Sequence, residues 1–212
     1  GITPQTLSKF FEATPDQAQN IIQAMFSSAA LRPQVLDVVE TLARCPQLNT
    51  ETLESVLSTA AVATPKGSTL NSLPLAAYFI KRSAEFVTTD PDRAIAFLSA
   101  AAQRGIAHRE RADITALLSN NDIIMHDHLY AQVLLTGSAL RDQSIETIAL
   151  NNLDREKPGS LRYQGALMAL SNLKTEKACQ GLMKVISDDS LDPKVREKAI
   201  SLIKNMVNTN TA

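Results

Sequence analysis

The chain has 212 residues, of which 44% are hydrophobic, and it carries 21 Lys and Arg against 22 Asp and Glu. This composition excludes global disorder and gives no overall attraction to phosphate backbones, so nucleic acid is a disfavoured partner. Two cysteines exclude a disulfide-dense scaffold and a four-cysteine zinc site. No apolar run approaches the roughly 20 residues of a membrane span. Because the first residue is Gly1, we expect that a preceding segment was removed. The sequence therefore does not indicate the cellular compartment of the protein.

Apolar residues recur at helical spacing almost throughout, and no segment alternates as a strand does. The predicted fold class is therefore all-α, with twelve short helices and tight connections. In chain order we predict helices at 3–12, from Pro15, from Pro33, from Asn49 or Thr50, at 74–87, 91–104 and 109–119, from Ile123 or Asp127 to Leu140, and at 143–152, 160–173, 175–187 and 193–207.

Helix starts are marked by residues whose side chains accept backbone N–H groups. Thr14 is predicted to cap the second helix, with Gln17 completing a capping box. Either Asn49 or Thr50 is predicted to cap the fourth helix, and Asp90 the sixth. The sequence thus supplies local start signals for helices in both halves of the chain.

The stretch 64–72 contains the longest run of turn-forming residues and is the best candidate for a hinge or functional loop. We otherwise expect one helical-repeat domain over residues 1–212. A non-repetitive helical domain up to Ser72 is the main alternative.

Two late helices begin alike. Arg162 follows Leu161 in one, and Arg196 follows Val195 in the other. The spacing between the two arginines lies within the period of about 30–47 residues at which helix pairs recur in solenoids. The pattern Asp-Pro-x-Val-Arg-x-x-Ala-x-x-Leu-Ile, which begins at Asp192, resembles the opening of the second helix in HEAT repeats. The resemblance covers residues 144–207, with echoes at 112–140 and 90–94, and it implies a right-handed α-solenoid of about six antiparallel helix pairs.

The residues of this motif have physical roles in stacking. Asp192 can accept N–H groups at the helix start, and Pro193 fits the first turn. Val195 and Ile203 are expected to face the partner helix, and Ala199 to allow two helices to approach closely. The resemblance implies that Arg196 bonds an acidic or carbonyl group of the adjoining repeat; a solvated surface arginine is the alternative.

Second helices of stacked pairs commonly line the partner-binding face. On that basis the candidate partner-facing residues are Tyr163, an aromatic anchor, together with Gln164, Asn172, Lys198, Lys204 and Asn205. Each of them alone is also compatible with a merely solvated or packed position.

Metal and catalytic sites are weakly indicated. Met125-His126-Asp127-His128 is the densest cluster of metal-ligating types, but residues two apart do not share a helical face, so a helix-start or turn cluster is favoured. Neither Cys45 nor Cys179 lies beside a histidine or in a glycine elbow, and both are interpreted as buried thiols, a bridge between them being disfavoured. We predict no metal, no cofactor and no catalytic residue.

The expected function is that of a non-enzymatic scaffold that binds or assembles another protein through helical repeats. This expectation rests on fold, and folds host many functions. The alternatives are a nucleic-acid-binding HEAT-like solenoid, and a HEAT-like lyase or glycosylase, which requires a deep pocket with a carboxylate and aromatic residues.

Overall fold

The computed structural model of the chain describes residues 4–28, 30–43, 49–62, 75–106 and 108–208. Within these ranges all regular structure is helical, with thirteen α-helices and two short 3₁₀ turns. The predicted all-α class is confirmed. The candidate loop 64–72 and Cys45 lie outside the described residues.

The helices follow one another with short connections. In chain order they are α1 (Pro4–Ala13), α2 (Pro15–Ser27), α3 (Arg32–Ala43), α4 (Thr50–Val62), α5 (Leu75–Phe86), α6 (Pro91–Arg104), α7 (Arg111–Leu118), α8 (Asn121–Ile124), α9 (Asp127–Gly137), α10 (Gln143–Arg155), α11 (Leu161–Leu173), α12 (Glu176–Ser187) and α13 (Pro193–Asn208). The count exceeds twelve because both predicted starts of the eighth helix are used: the Asn120 side chain caps α8 and the His126 ring caps α9.

Most predicted caps are present. Asn49 accepts the Thr52 N–H at 2.7 Å, Asp90 accepts the Arg93 N–H at 3.1 Å and Asp192 accepts the Lys194 N–H at 2.8 Å. These bonds satisfy N–H groups that the first helical turn leaves without a partner.

The predicted cap at Thr14 is wrong. The Thr14 side chain accepts no N–H group of α2. Instead its Oγ1 donates to the Phe10 carbonyl at 2.9 Å. One residue separates α1 from α2, so the Thr14 hydroxyl is within reach of a carbonyl in the last turn of α1, where carbonyls lack intrahelical donors.

The chain forms two compact units, Gly1–Gly105 and Ile106–Ala212. In the N-terminal unit α4 packs on α2 and α6, and α5 packs on α6. Aromatic rings hold the α5–α6 contact: the Phe86 and Phe97 rings stack at 5.9 Å between centroids, and Phe79 lies 6.2 Å from Phe97.

In the C-terminal unit α9 packs on α11 and α11 packs on α13, while α10 and α12 contact α11 and α13 respectively. Small residues permit the close approach of these helices. A Cβ on Gly165 would lie 2.8 Å from the Ala131 Cβ, and Ala199 of α13 is completely buried. The predicted role of Ala199 at a helix contact is consistent with this burial.

Arg162 of α11 connects its helix to the preceding helices. The Nη1 atom donates to the Ile124 carbonyl and lies 3.5 Å from the Asp127 carboxylate, while Nε donates to Glu156 at 3.1 Å. The guanidinium carbon lies 4.0 Å from the centroid of the Tyr130 ring. This single side chain therefore joins the start of α11 to α8 and α9 through charge, hydrogen bonds and a cation–π contact.

Arg196, which has the same place in α13, has a different partner from the one expected. Its Nη1 donates to Asp189 at 3.1 Å, and Asp189 belongs to the turn between α12 and α13 rather than to an adjoining helix pair. Asp189 is 96% exposed, so water competes for this pair. Arg162, and not Arg196, makes contacts with preceding helices of the kind expected for Arg196.

Ala199→Asp is expected to lower the free energy of unfolding by more than about 3 kcal/mol, because it places an unpaired charge at a dry helix contact. Chemical denaturation with circular dichroism measures the change. Ser201→Asp, an exposed position on the same helix, is the control and should change stability by no more than about 0.5 kcal/mol. Equal effects of the two variants would contradict the packing of α13.

Arg162→Ala is expected to cost about 1.5–3 kcal/mol of stability, since it leaves the Ile124 carbonyl and two carboxylates without their cation. Arg196→Ala is the matched control, and its loss should be below about 1 kcal/mol because its ion pair is exposed. Urea unfolding of both variants makes the comparison. A larger loss for Arg196→Ala would show that the two arginines were assigned the wrong roles.

Candidate functional site

A groove of about 610 Å³ lies in the C-terminal unit. It lies where α10 and α12 run side by side, and we call it the α10–α12 groove. Its apolar lining is Leu150, Leu153, Pro158, Gly181, Val185 and Leu191, and its polar lining is Asp154, Tyr163, Lys177, Gln180, Lys184 and Asp188.

Helix caps and one glycine shape this groove. The Ser160 hydroxyl accepts the Tyr163 N–H at 3.3 Å, which starts α11 with Tyr163 in its first turn. Thr175 caps α12, and its hydroxyl also donates to the Glu146 carboxylate on α10. A Cβ on Gly181 would lie only 2.6 Å from Leu150 Cδ2. The missing side chain thus lets α12 lie close to α10 and leaves the bottom of the groove open.

Two lysines lie along the α12 wall. Lys177 and Lys184 are seven residues apart, so they share one side of the helix, and Gln180 lies between them. Both lysines are exposed, and neither has a hydrogen-bond or ion-pair partner within the described part of the chain. The wall therefore offers two free cations beside apolar residues, and between them the Gln180 amide, which donates to Glu176 at 3.3 Å.

Asp188 closes the end of the groove as part of the turn after α12. Its Oδ1 accepts the Ser190 hydroxyl at 2.5 Å and the Ser190 N–H at 3.0 Å. These two bonds hold the pKa of Asp188 below its usual range, and the bond from the Ser190 hydroxyl has the larger effect. The charge of Arg196 also lowers the pKa, but by less. Asp188 is thus a fixed negative charge.

Tyr163 is the aromatic residue of the groove, and its side chain is only 2% exposed. Burial raises the pKa of its phenol, and the nearby negative charge of Asp188 raises it further. The phenol is therefore neutral at ordinary pH and can act as a hydrogen-bond donor. Together with the lysines and Gln180, it makes the groove rich in donors.

Of the six predicted partner-facing residues, only Tyr163 lines the groove. The other five are exposed on α11 and α13: Gln164, Asn172, Lys198, Lys204 and Asn205. The Gln164 amide donates to the Gly159 carbonyl at 2.9 Å, and the Asn172 amide donates to the Ser138 hydroxyl at 3.3 Å. Partner binding by these five residues stays a prediction.

Sequence reasoning missed Asp154, Lys177, Gln180 and Lys184. The spacing of Lys177, Gln180 and Lys184 on one helix was an available signal, because positions i, i+3 and i+7 share a face. Asp154 gave no such signal, since only the packing of α10 beside α12 brings it to the groove.

The histidine cluster lies at the start of α9, as the favoured helix-start interpretation predicts. His126 Nδ1 accepts the Leu129 N–H at 3.2 Å. Among the described residues no group of three or more His, Cys, Asp or Glu side chains is arranged to hold a metal ion. Cys179 on α12 is a free thiol that is half-buried.

A smaller groove of about 340 Å³ lies between α4 and α6 in the N-terminal unit. Glu51 and Glu54 line it, and the Ser58 hydroxyl donates to the Gln103 side chain at 2.8 Å across it. This bond occupies two of the polar groups of the groove, so it is the weaker candidate of the two.

Comparison with protein-family models, curated proteins and solved structures finds no match to this chain. None of the helices in the described ranges combines the length and apolarity that crossing a lipid bilayer requires.

Ser190→Ala is expected to raise the pKa of Asp188 toward its ordinary value, because the hydroxyl makes the dominant hydrogen bond to the carboxylate. A carboxyl whose pKa is lowered by folding stabilises the fold above its unfolded-state pKa, and that contribution is lost as the pH falls through the folded-state pKa. In Ser190→Ala, the stabilising contribution of the Asp188 carboxylate should therefore be lost at a higher pH than in the parent chain. Carboxyl-detected NMR titration measures the pKa, with Ser187→Ala as control; an unchanged value in Ser190→Ala would contradict the assigned cause.

Proposed function

We propose that this chain is a non-enzymatic protein-binding scaffold built from about six HEAT-like antiparallel helix pairs in a right-handed solenoid. Its α10–α12 groove binds a short segment of a partner protein that carries apolar side chains and carboxylates. The order of packing in the C-terminal unit, with α9, α11 and α13 in successive contact and α10 and α12 beside them, supports the stacked arrangement.

The observation that carries the proposed binding function is the pair of free cations above an apolar floor. Lys177 and Lys184 have no partner within the described part of the chain, while Leu150, Leu153 and Leu191 line the same groove. Apolar burial supplies affinity, and charge complementarity selects the partner and speeds its association. An acidic and apolar peptide segment satisfies both surfaces.

The dimensions of the groove suit a segment rather than a whole domain. Its volume falls within the few hundred to about 1,000 Å³ of common ligand pockets, which accommodates a few side chains. Tyr163 lines the groove but is only 2% exposed, so it supports the shape of the groove more than it contacts an occupant.

A second candidate, a HEAT-like lyase or glycosylase, is favoured by one observation. Tyr163 lines the same groove as the carboxylates Asp154 and Asp188. However, Asp188 is charged and already bonded twice by Ser190, which makes it a poor proton donor. The scaffold function therefore accounts for more of the groove than the enzymatic one does.

Selection from a random peptide display library tests the proposal. We expect enrichment of peptides that combine Asp or Glu with large apolar residues. The double variant Lys177→Glu/Lys184→Glu should weaken a selected peptide at least about tenfold, because both attractive contacts become repulsive. The matched control Lys81→Glu/Lys194→Glu reverses two exposed lysines outside the groove and should bind as the parent does.

Three outcomes would overturn this proposal. They are selection of no acidic peptide, an equal loss in the control variant, and salt-dependent binding of single-stranded or duplex nucleic acid that the Lys177→Glu/Lys184→Glu variant abolishes. Turnover of a glycosidic or nucleoside substrate that is lost in Asp154→Asn would favour the enzymatic candidate instead.

A further inference from the structure

The last described helix pair, α12 with α13, has an uncovered apolar face. Met183 of α12 is 48% exposed, and Ile200 and Val207 of α13 are 37% and 58% exposed. Cys179 and Ile186 of α12 and Ile203 of α13 are half-buried at positions that extend the same two stripes. The stripes recur every three or four residues, so each follows one side of its helix. We call this set of six residues the terminal face.

Comparison with the preceding helix pair shows what normally covers such a face. When α13 is aligned on α11 by their arginines, Ile200, Ile203 and Val207 correspond to three residues that are all buried: Ala166, Ala169 and Leu173. There α12 and α13 pack against α11. The same positions of α13 have no following helix pair within the described residues. The terminal face therefore occupies the position on α13 that, on α11, is covered by packing.

Two charged residues border the apolar stripe of α13. Glu197 and Lys204 are exposed, and in the same alignment they correspond to Tyr163 and Leu170, which are both buried. A covering group must therefore satisfy one acid and one base as well as the apolar residues. Neither charged side chain has a partner within the described part of the chain.

The order of these charges is self-complementary. Glu197 and Lys204 are seven residues, or two turns, apart on one side of α13. When two copies of α13 cross in antiparallel fashion with a two-fold axis between Ile200 and Ser201, each Glu197 faces the Lys204 of the other copy. Ile200 then meets its own symmetry mate at the centre. An isologous interface of this kind requires such a patch.

Helix α12 also has apolar residues close to the two-fold axis. The turn 188–192 joins α12 to α13 in antiparallel orientation, so Gln180 and Ile200, each seven residues from the helix end at that turn, lie at about the same level. Cys179 and Met183 flank that level on α12. The apolar side chains of α12 therefore come near the axis together with those of α13.

We propose that the terminal face binds a second copy of this chain and forms a two-fold dimer in which α13 packs antiparallel to its symmetry mate. Glu197–Lys204 pairs border an apolar centre made by Ile200, Met183 and Cys179. A following helix pair would bury Glu197 and Lys204 without this reciprocal match. A terminal pair that only caps a stack would need a polar outer face, whereas this face has six apolar or thiol side chains.

Sedimentation equilibrium of the whole chain from about 1 μM to about 1 mM tests the proposal. A dimer is expected for the parent chain. Glu197→Lys and Lys204→Glu should each weaken dimerisation at least about tenfold, because the two-fold axis turns one reversed charge into two like-charge contacts. Ile200→Asp should be monomeric, with its folding verified by circular dichroism.

Mixing the two charge variants provides the sharper test. Glu197→Lys has lysine at both positions and Lys204→Glu has glutamate at both, so an equimolar mixture should form a heterodimer at concentrations at which each variant alone is mostly monomeric. The double variant Glu197→Lys/Lys204→Glu should dimerise again. The groove variant Lys177→Glu, whose position lines the groove but not the surface around Cys179 and Met183, should keep the dimer mass. This result separates the proposal from the proposed function.

A monomeric parent chain over the whole concentration range would overturn the proposal and make the terminal face a cap or a docking site for another protein. A dimer that neither charge variant weakens would also overturn it. So would a mixture of the two charge variants that stays monomeric.

Discussion

The C-terminal unit depends on close contact between successive helices across small residues. Gly165 leaves no room for a Cβ against Ala131, and Ala199 is fully buried on the next helix in the row. At such short distances many weak dispersion contacts form along the helix pair, and one added methyl group forces the backbones apart. The positions of α10 and α12, and hence of the groove between them, follow from this spacing.

Arg162 and Arg196 lie at matching positions near the starts of α11 and α13. Arg162 contacts a carbonyl, carboxylates and an aromatic ring of earlier elements. Among the described residues, the ion-pair partner of Arg196 is an exposed aspartate in its own turn. The two residues have the same place in the motif but different surroundings. We attribute the difference to what lies beside each one: α8 and α9 present acceptors to Arg162, and the side chains near Arg196 do not reproduce them.

Features set by neighbouring residues in sequence were predictable. The start of α13 at Pro193 and the caps from Asn49, Asp90 and Asp192 follow from local chemistry, and the structure has them. Thr14 failed because its hydroxyl had a competing acceptor in α1, the Phe10 carbonyl. Competition of this kind between nearby groups is not encoded in a capping pattern.

The groove was beyond sequence reasoning for a different reason. Asp154, Tyr163, Lys177 and Asp188 come from four segments, and only tertiary packing brings them together. The sequence pattern identified Tyr163 as an aromatic anchor on an outward face, but the side chain is buried at the groove wall. Helical periodicity indicates which residues share a face, and it does not indicate how much of that face a neighbouring helix covers.

Gly181 gives the groove a property that none of its charged residues can supply. The close approach of α12 to α10 depends on the absence of a side chain here, since a Cβ would lie only 2.6 Å from Leu150 Cδ2. A methyl group at this position would force Leu150 to move and so change the shape of the groove, while the lysines remain in place. Shape selection and charge selection are therefore carried by different residues, and related chains could change the size of their partner's side chain without changing its charge.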